Sequence, residues 1–161
     1  VFPGSQGGAL QHVIAAKAIA AEEACTREFR EYIHQVVLNC SAMCEEFMRL
    51  GYDVVTKGTD NHLFLIDFSK THPHLSGKEV QDILDTYGIT LNKNCVPNEK
   101  RKPTETSGVR IGTPAVTSRG MKEDDMDKIA EAIAMVIKEQ ENGVAGARAI
   151  VQTLTDKYPL I

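Results

Sequence analysis

Apolar positions along this chain fall into helical and strand rhythms that predict its elements in order. Residues 1–8 carry Pro3, Gly4, Gly7 and Gly8, so the chain is expected to open as a loop. From Ala9 to about Cys25 the composition turns to alanine-rich helix formers. Thr26 is placed to cap a second helix. In it Phe29, Ile33, Val36, Val37, Cys40, Met43, Cys44, Phe47 and Leu50 recur at three- and four-residue steps, until Gly51 ends the pattern. That stripe reads as core rather than as a cofactor box.

Shorter periods follow. Residues 53–56 form a strand candidate, 57–61 a turn, and 62–68 (H-L-F-L-I-D-F) a near-continuous apolar strand. Unbroken hydrophobicity predicts cover on both faces, by helices on one side and a neighbouring domain on the other. Ser76-Gly77-Lys78-Glu79 is a capping box; the helix it opens is lined by Val80, Ile83, Leu84 and Tyr87 and stopped by Gly88. Residues 89–91 predict another strand. Residues 92–107 are polar and read as irregular, with the basic run Lys100-Arg101-Lys102; such a connection is expected to bind something or to be mobile. A strand at 108–112 and a helical turn at Thr113-Pro114 come next. A helix over 122–140 has acids in its first turn, Gly143 breaks the pattern, and Val144, Ile150, Val151 and Leu154 mark a last helix up to Tyr158-Pro159. Long helices, a small sheet, then two helices make an α+β layout.

Composition narrows the class. The 161 residues suffice for a sizeable core, and 42% hydrophobic with 25% charged residues is ordinary for a soluble globular protein. A net charge of −4 gives no electrostatic footprint for nucleic acid or an anionic membrane. No apolar segment is long enough to span a bilayer and the first residues do not form a signal peptide. Cys25, Cys40, Cys44 and Cys95 read as reduced thiols of a cytoplasmic protein. Cys40 and Cys44 can share a helix face as metal ligands, but no second Cys/His pair accompanies them, and His72-Pro73-His74 is too isolated to complete a site. No metal site is expected. The missing initiator methionine suggests a chain that starts inside a larger protein.

The chemistry centres on T-S-G-V-R-I-G-T-P-A-V-T-S-R-G, residues 106–120. Arg110 stands between Val109 and Ile111, where a strand is expected to bury it, and a buried guanidinium needs a carboxylate. Its planar fork suits two parallel hydrogen bonds to one. That carboxylate is either internal, with Asp67 as candidate, or a ligand's. Gly7 and Gly8, just ahead of a helix, form either an anion-binding turn or a hinge. The chain has no G-x-S-x-G elbow, Walker loop, H-E-x-x-H or paired carboxylates in an apolar setting. It offers ligand contacts without a catalyst.

Four motifs add to this reading: V-F-P-G-S-Q-G-G-A-L-Q-H (1–12), G-T-D-N-H-L (58–63), G-I-T-L-N-K-N-C-V-P (88–97) and S-G-V-R-I-G-T-P-A-V-T-S-R-G (107–120). Together they resemble the C-terminal part of serine hydroxymethyltransferase, a pyridoxal-phosphate enzyme of the aspartate-aminotransferase fold. The resemblance implies that residues 1–25 are the cofactor-phosphate loop and the helix leading out of a large domain, and 26–161 the small α+β domain. It implies that Arg110 binds the carboxylate of serine or glycine and that the Gly7–Gly8 backbone approaches the cofactor phosphate across the interface of a homodimer. Asn94 is implied to contact the pterin of tetrahydrofolate, with Phe2 near the folate of the neighbouring subunit. Ala9 stands where the family often has proline. The lysine that holds the cofactor covalently lies upstream in the family; Lys17, Lys57, Lys78, Lys93 and Lys122 read as solvated surface or loop residues, so no catalytic residue is expected here. The whole enzyme would interconvert serine plus tetrahydrofolate and glycine plus 5,10-methylenetetrahydrofolate, and this part alone would be inactive. The rival expectation is a stand-alone α+β module that binds an amino acid or a partner without catalysis.

Overall fold

The computed structural model describes residues 1–139 and 144–160. The chain divides into two units, Val1–His34 and Gln35–Ile161.

In the first unit, Ser5 and Gln6 N–H groups return to the Val1 carbonyl at 2.8 and 3.1 Å and close an opening turn. Helix α1, Gln11–Ala24, buries none of its residues. Its alanine content gives it helix propensity without an apolar stripe. Thr26 caps helix α2, Arg27–Arg49, as expected: its hydroxyl accepts from the Phe29 N–H at 3.1 Å. The early stripe residues Phe29 and Ile33 are exposed.

In the second unit, the rest of α2 buries Val36, Cys40, Met43, Cys44 and Phe47. Four strands follow: β1 (Asp53–Val54), β2 (Leu63–Asp67), β3 (Asn92–Asn94) and β4 (Gly108–Gly112). They form an antiparallel sheet in the order β1-β2-β4-β3. Its inner face carries Val54, Phe64, Ile66, Val109 and Ile111, all buried. Helices α4 (Gly77–Asp85) and α6 (Glu123–Glu139) add Val80, Leu84, Met126 and Ile133 to the same core. Short helices α3 (Phe68–Thr71) and α5 (Pro114–Ser118) follow β2 and β4, and α7 spans Val144–Lys157. The mixed α+β class is as read from the sequence. So is the capping box, with the Glu79 N–H to Ser76 Oγ at 3.2 Å and the Ser76 N–H to Glu79 Oε2 at 2.7 Å. Gly88 stops that helical run at φ +75, where an L side chain is strained.

Two expectations need correction. Strand β2 is shorter than 62–68; within this chain Phe64 and Ile66 are buried beneath the helices, while Leu63, Leu65 and Asp67 on the other face are half-buried. Phe68 has turned into α3. The strand expected at 89–91 forms instead at 92–94. Leu91 is buried and Ile89 packs on the core, but neither joins a ladder; the polar Asn-Lys-Asn run pairs with β4. The helix end at Gln140 and the break at Gly143 lie outside the described residues.

Candidate functional site

Strand β4 places Arg110. Its two neighbours in register are Leu65 of β2 and Asn92 of β3, while Gly108 stands opposite Asp67 and Asn94. Directly opposed residues of a sheet share a face. Arg110, Asn92, Asn94, Leu65 and Asp67 therefore stand together on the outer face, and Val109 and Ile111 point into the core. Gly108 is required by close approach, because a Cβ there would lie 2.5 Å from both the Ile66 carbonyl oxygen and Val96 Cγ1.

Arg110 is exposed, not buried as its apolar neighbours suggested. Period-two alternation turns a residue between two core positions outward, so Val109-Arg110-Ile111 presents Arg110 on the opposite face. The internal ion pair with Asp67 does not form: that carboxylate caps α3, accepting from the Ser69 N–H at 2.8 Å. Among the described residues no carboxylate pairs with Arg110.

Arg110 borders a cavity of about 600 Å³ at the end of the sheet where β2 begins and β4 ends. This volume lies in the range of small-molecule sites. Ile111, Val116, Ile133 and Leu154 make its lining largely apolar, with Arg110 and Arg119 as its cations. Their states differ. Arg119 is committed to the end of α7, its Nε donating to the Tyr158 carbonyl at 2.8 Å, whereas Arg110 has no such protein acceptor among the described residues. Helix α7 is also tied down through Asp125, whose buried carboxylate accepts from Tyr158 Oη at 2.7 Å. Burial pushes the Asp125 carboxyl up, but Tyr158, the Lys122 N–H, Lys157 and Lys128 together hold it below its ordinary value.

Asn94 sits on β3, half-buried, two positions along the edge strand from Asn92. Its Nδ2 donates to the Cys95 carbonyl at 2.7 Å. Beyond it, the segment read as irregular is gathered around Glu99. That carboxylate accepts from the Ser107 hydroxyl at 2.6 Å, from the N–H groups of Ser107, Lys100 and Arg101 at 2.8, 2.9 and 2.9 Å, and from Val96 N–H at 3.3 Å. Partial burial alone would raise the carboxyl, yet these donors hold it at about 2.

Gly7, Gly8 and Phe2 belong to the first unit and are exposed there, with nothing within 4 Å of a Cβ placed on either glycine. Lys17, Lys57, Lys78 and Lys122 are exposed and Lys93 is half-buried on β3. Cys40 and Cys44 are buried thiols; burial raises both, and Cys44 is pushed up to about 11. Among the described residues no group of three His, Cys, Asp or Glu side chains converges as a metal site. No described helix is long and apolar enough to cross a membrane.

Sequence reasoning missed three polar centres: Glu99, Asp125 and Asn39. Asn39 is fully buried inside the α2 stripe, between Val36, Cys40 and Met43. A polar residue on an otherwise apolar helix face was the available signal. Glu99 and Asp125 gave none, because a carboxylate in a polar run does not announce which N–H groups it will collect.

A comparison with known families covers most of the chain. Residues 1–133 of 161 match the family model described as serine hydroxymethyltransferase, and the chain belongs to that family.

Proposed function

We propose that this chain is the C-terminal portion of a serine hydroxymethyltransferase, with residues 1–25 as the phosphate loop and helix leading from the large domain and 26–161 as the small domain. The family comprises pyridoxal-phosphate-dependent transferases that use tetrahydrofolate. The whole enzyme would interconvert serine plus tetrahydrofolate and glycine plus 5,10-methylenetetrahydrofolate, as a cytoplasmic homodimer. One observation carries the assignment of the substrate contact: Arg110 is a strand-borne guanidinium, without a protein carboxylate among the described residues, beside a cavity of ligand size. A rigid strand holds its fork in place for the two oxygens of an amino-acid carboxylate.

Pyridoxal phosphate supplies an electron sink at the amino acid's α-carbon when bound. The residues present fit it in part. The uncrowded backbone of Gly7 and Gly8 suits approach by a phosphate. A covalent tether does not fit the Arg110 cavity, whose lining contains no lysine among the described residues. The chain's own contribution is then to bind and orient: Arg110 holds the carboxylate, and Asn94, with Phe2 of a neighbouring subunit, meets the folate. The 161 residues alone would catalyse no turnover.

Arg110→Ala in the whole enzyme tests the reading. Loss of a charge-assisted pair, about 1.5–3 kcal/mol, corresponds to about 10- to 150-fold weaker serine binding with cofactor affinity unchanged. Equal loss of serine and cofactor binding would mean that Arg110 serves folding instead. Serine-dependent turnover by the isolated chain with cofactor and folate added would refute the claim that it is inactive.

A further inference from the structure

The α2 stripe contains one residue that breaks its own rule. Asn39 is fully buried, and its amide is saturated: Oδ1 accepts from Gln35 Nε2 at 3.0 Å, while Nδ2 donates to Thr117 Oγ1 and to the Met121 carbonyl, each at 2.9 Å. The partners extend the connection. Thr117 Oγ1 donates to the Thr113 carbonyl at 2.8 Å, and Thr113 Oγ1 donates to the Val36 carbonyl at 2.9 Å, back on α2. Thr113 is fully buried and Thr117 nearly so. Gln35 also donates to Glu123 at the start of α6, at 3.0 Å.

This chain of bonds holds one segment, residues 113–121, which leaves the strand of Arg110 and contains α5. The Thr113 N–H is bonded in turn to the His62 carbonyl at 3.1 Å, at the start of β2. Pro114, Ala115 and Val116 border the same cavity as Arg110. A five-residue helix has too few internal hydrogen bonds to hold itself, so its place is set by what it is tied to. An apolar residue at position 39 would continue the stripe and fill the core; an amide there is useful only for the groups it joins.

We propose that Asn39 is a positioning residue: through Thr117 and the Met121 carbonyl it fixes α5, the cavity wall beside Arg110, and so sets the space in which a small amino acid bound at Arg110 is held. It touches neither substrate nor cofactor. The proposal rests on the reading of Arg110 as the carboxylate contact.

The experiment uses the enzyme carrying its pyridoxal phosphate, with glycine as the probe. Asn39→Leu and Thr117→Val each break the tether, Thr117→Ser keeps the hydroxyl, and Arg110→Ala is the comparator. The expected result is glycine binding weakened about tenfold in Asn39→Leu and Thr117→Val, with cofactor affinity held within about twofold, and Thr117→Ser close to the parent. Hydrogen exchange at the Thr117 and Ser118 amides should lose protection in the same two variants and recover in Thr117→Ser. A lower melting temperature with unchanged glycine affinity would overturn the proposal, leaving Asn39 a stabilising residue only. Thr117→Ser behaving like Thr117→Val would overturn it too. If Arg110→Ala leaves glycine binding intact, the carboxylate reading fails by itself; exchange at α5 then still decides whether Asn39 fixes that wall, and unchanged protection refutes it.

Discussion

Glu99→Gln should loosen the connection between β3 and β4 while keeping its shape. The carboxylate gathers four backbone N–H groups and one hydroxyl between positions 96 and 107. Glutamine keeps one acceptor oxygen, loses the charge and turns an NH2 group toward donors. The depression from the usual 4.5 to about 2 would correspond to about 3 kcal/mol for a fully shielded group. Glu99 is only half-buried, so solvent screening reduces this, and about 1–2 kcal/mol is the expected loss near neutral pH. The sign follows from the direction of the shift. A carboxyl held low when folded binds its proton first in the unfolded chain, so its contribution is complete above about pH 4.5 and fades as pH falls towards about 2. Chemical denaturation of parent and variant at a series of pH values measures it. The gap between them should close steadily through that window. A gap that is absent at neutral pH, or that stays constant down to about pH 2, would show that the carboxylate does not hold this loop.

Three further outcomes follow from the packing. Gly108→Ala forces a Cβ against the Ile66 carbonyl and Val96, and should cost about 1–3 kcal/mol by denaturant titration; an unchanged midpoint would mean the strands part without penalty. Alkylation followed by mass spectrometry should label the exposed Cys25 and Cys95 well before the buried Cys40 and Cys44, where burial disfavours the reactive thiolate, and equal labelling would contradict the core placement. Tyr158→Phe removes one donor from the buried Asp125 and should destabilise the protein by about 1–2 kcal/mol above the ordinary aspartate range, a difference that shrinks as acid protonates Asp125 in both proteins.

What the sequence made readable was periodic or chemical in itself. The α2 stripe from Val36 to Phe47 repeats at three- and four-residue steps, and the Ser76–Glu79 capping box and the Gly88 stop are local, so spacing alone displays them. The outer sheet face was not readable, because it depends on register. Which residues stand beside Arg110 is decided by the pairing of β4 with β2 and β3, a long-range register that no window of sequence contains; its outward turn follows from alternation with Val109 and Ile111. The same holds for β3. Asn92-Lys93-Asn94 has no apolar signature because it is an edge strand, with Lys93 at its centre and the Lys93 N–H taken by Gln81 at 2.9 Å. The apolar neighbours Ile89 and Leu91, which drew the expectation of a strand, serve the core instead.

These differences bear on function in one direction. Burying Arg110 would have required a partner carboxylate within the protein, and an internal pair would have left the guanidinium nothing to offer a ligand. Turned outward, it keeps its hydrogen-bonding capacity, and the fold meets the cost of holding it there through backbone pairing on both sides of β4 rather than through its own side chain. Asp67, the internal candidate, is removed from competition by a local bond to Ser69, and Arg119, the other cation on the cavity, by the last turn of α7. The fold thus engages the charges that could compete with a ligand and leaves one guanidinium, on a strand paired on both sides, without a protein carboxylate among the described residues. On the proposed reading of Arg110 as a carboxylate contact, specificity for a small carboxylate arises from what the neighbouring groups are already doing.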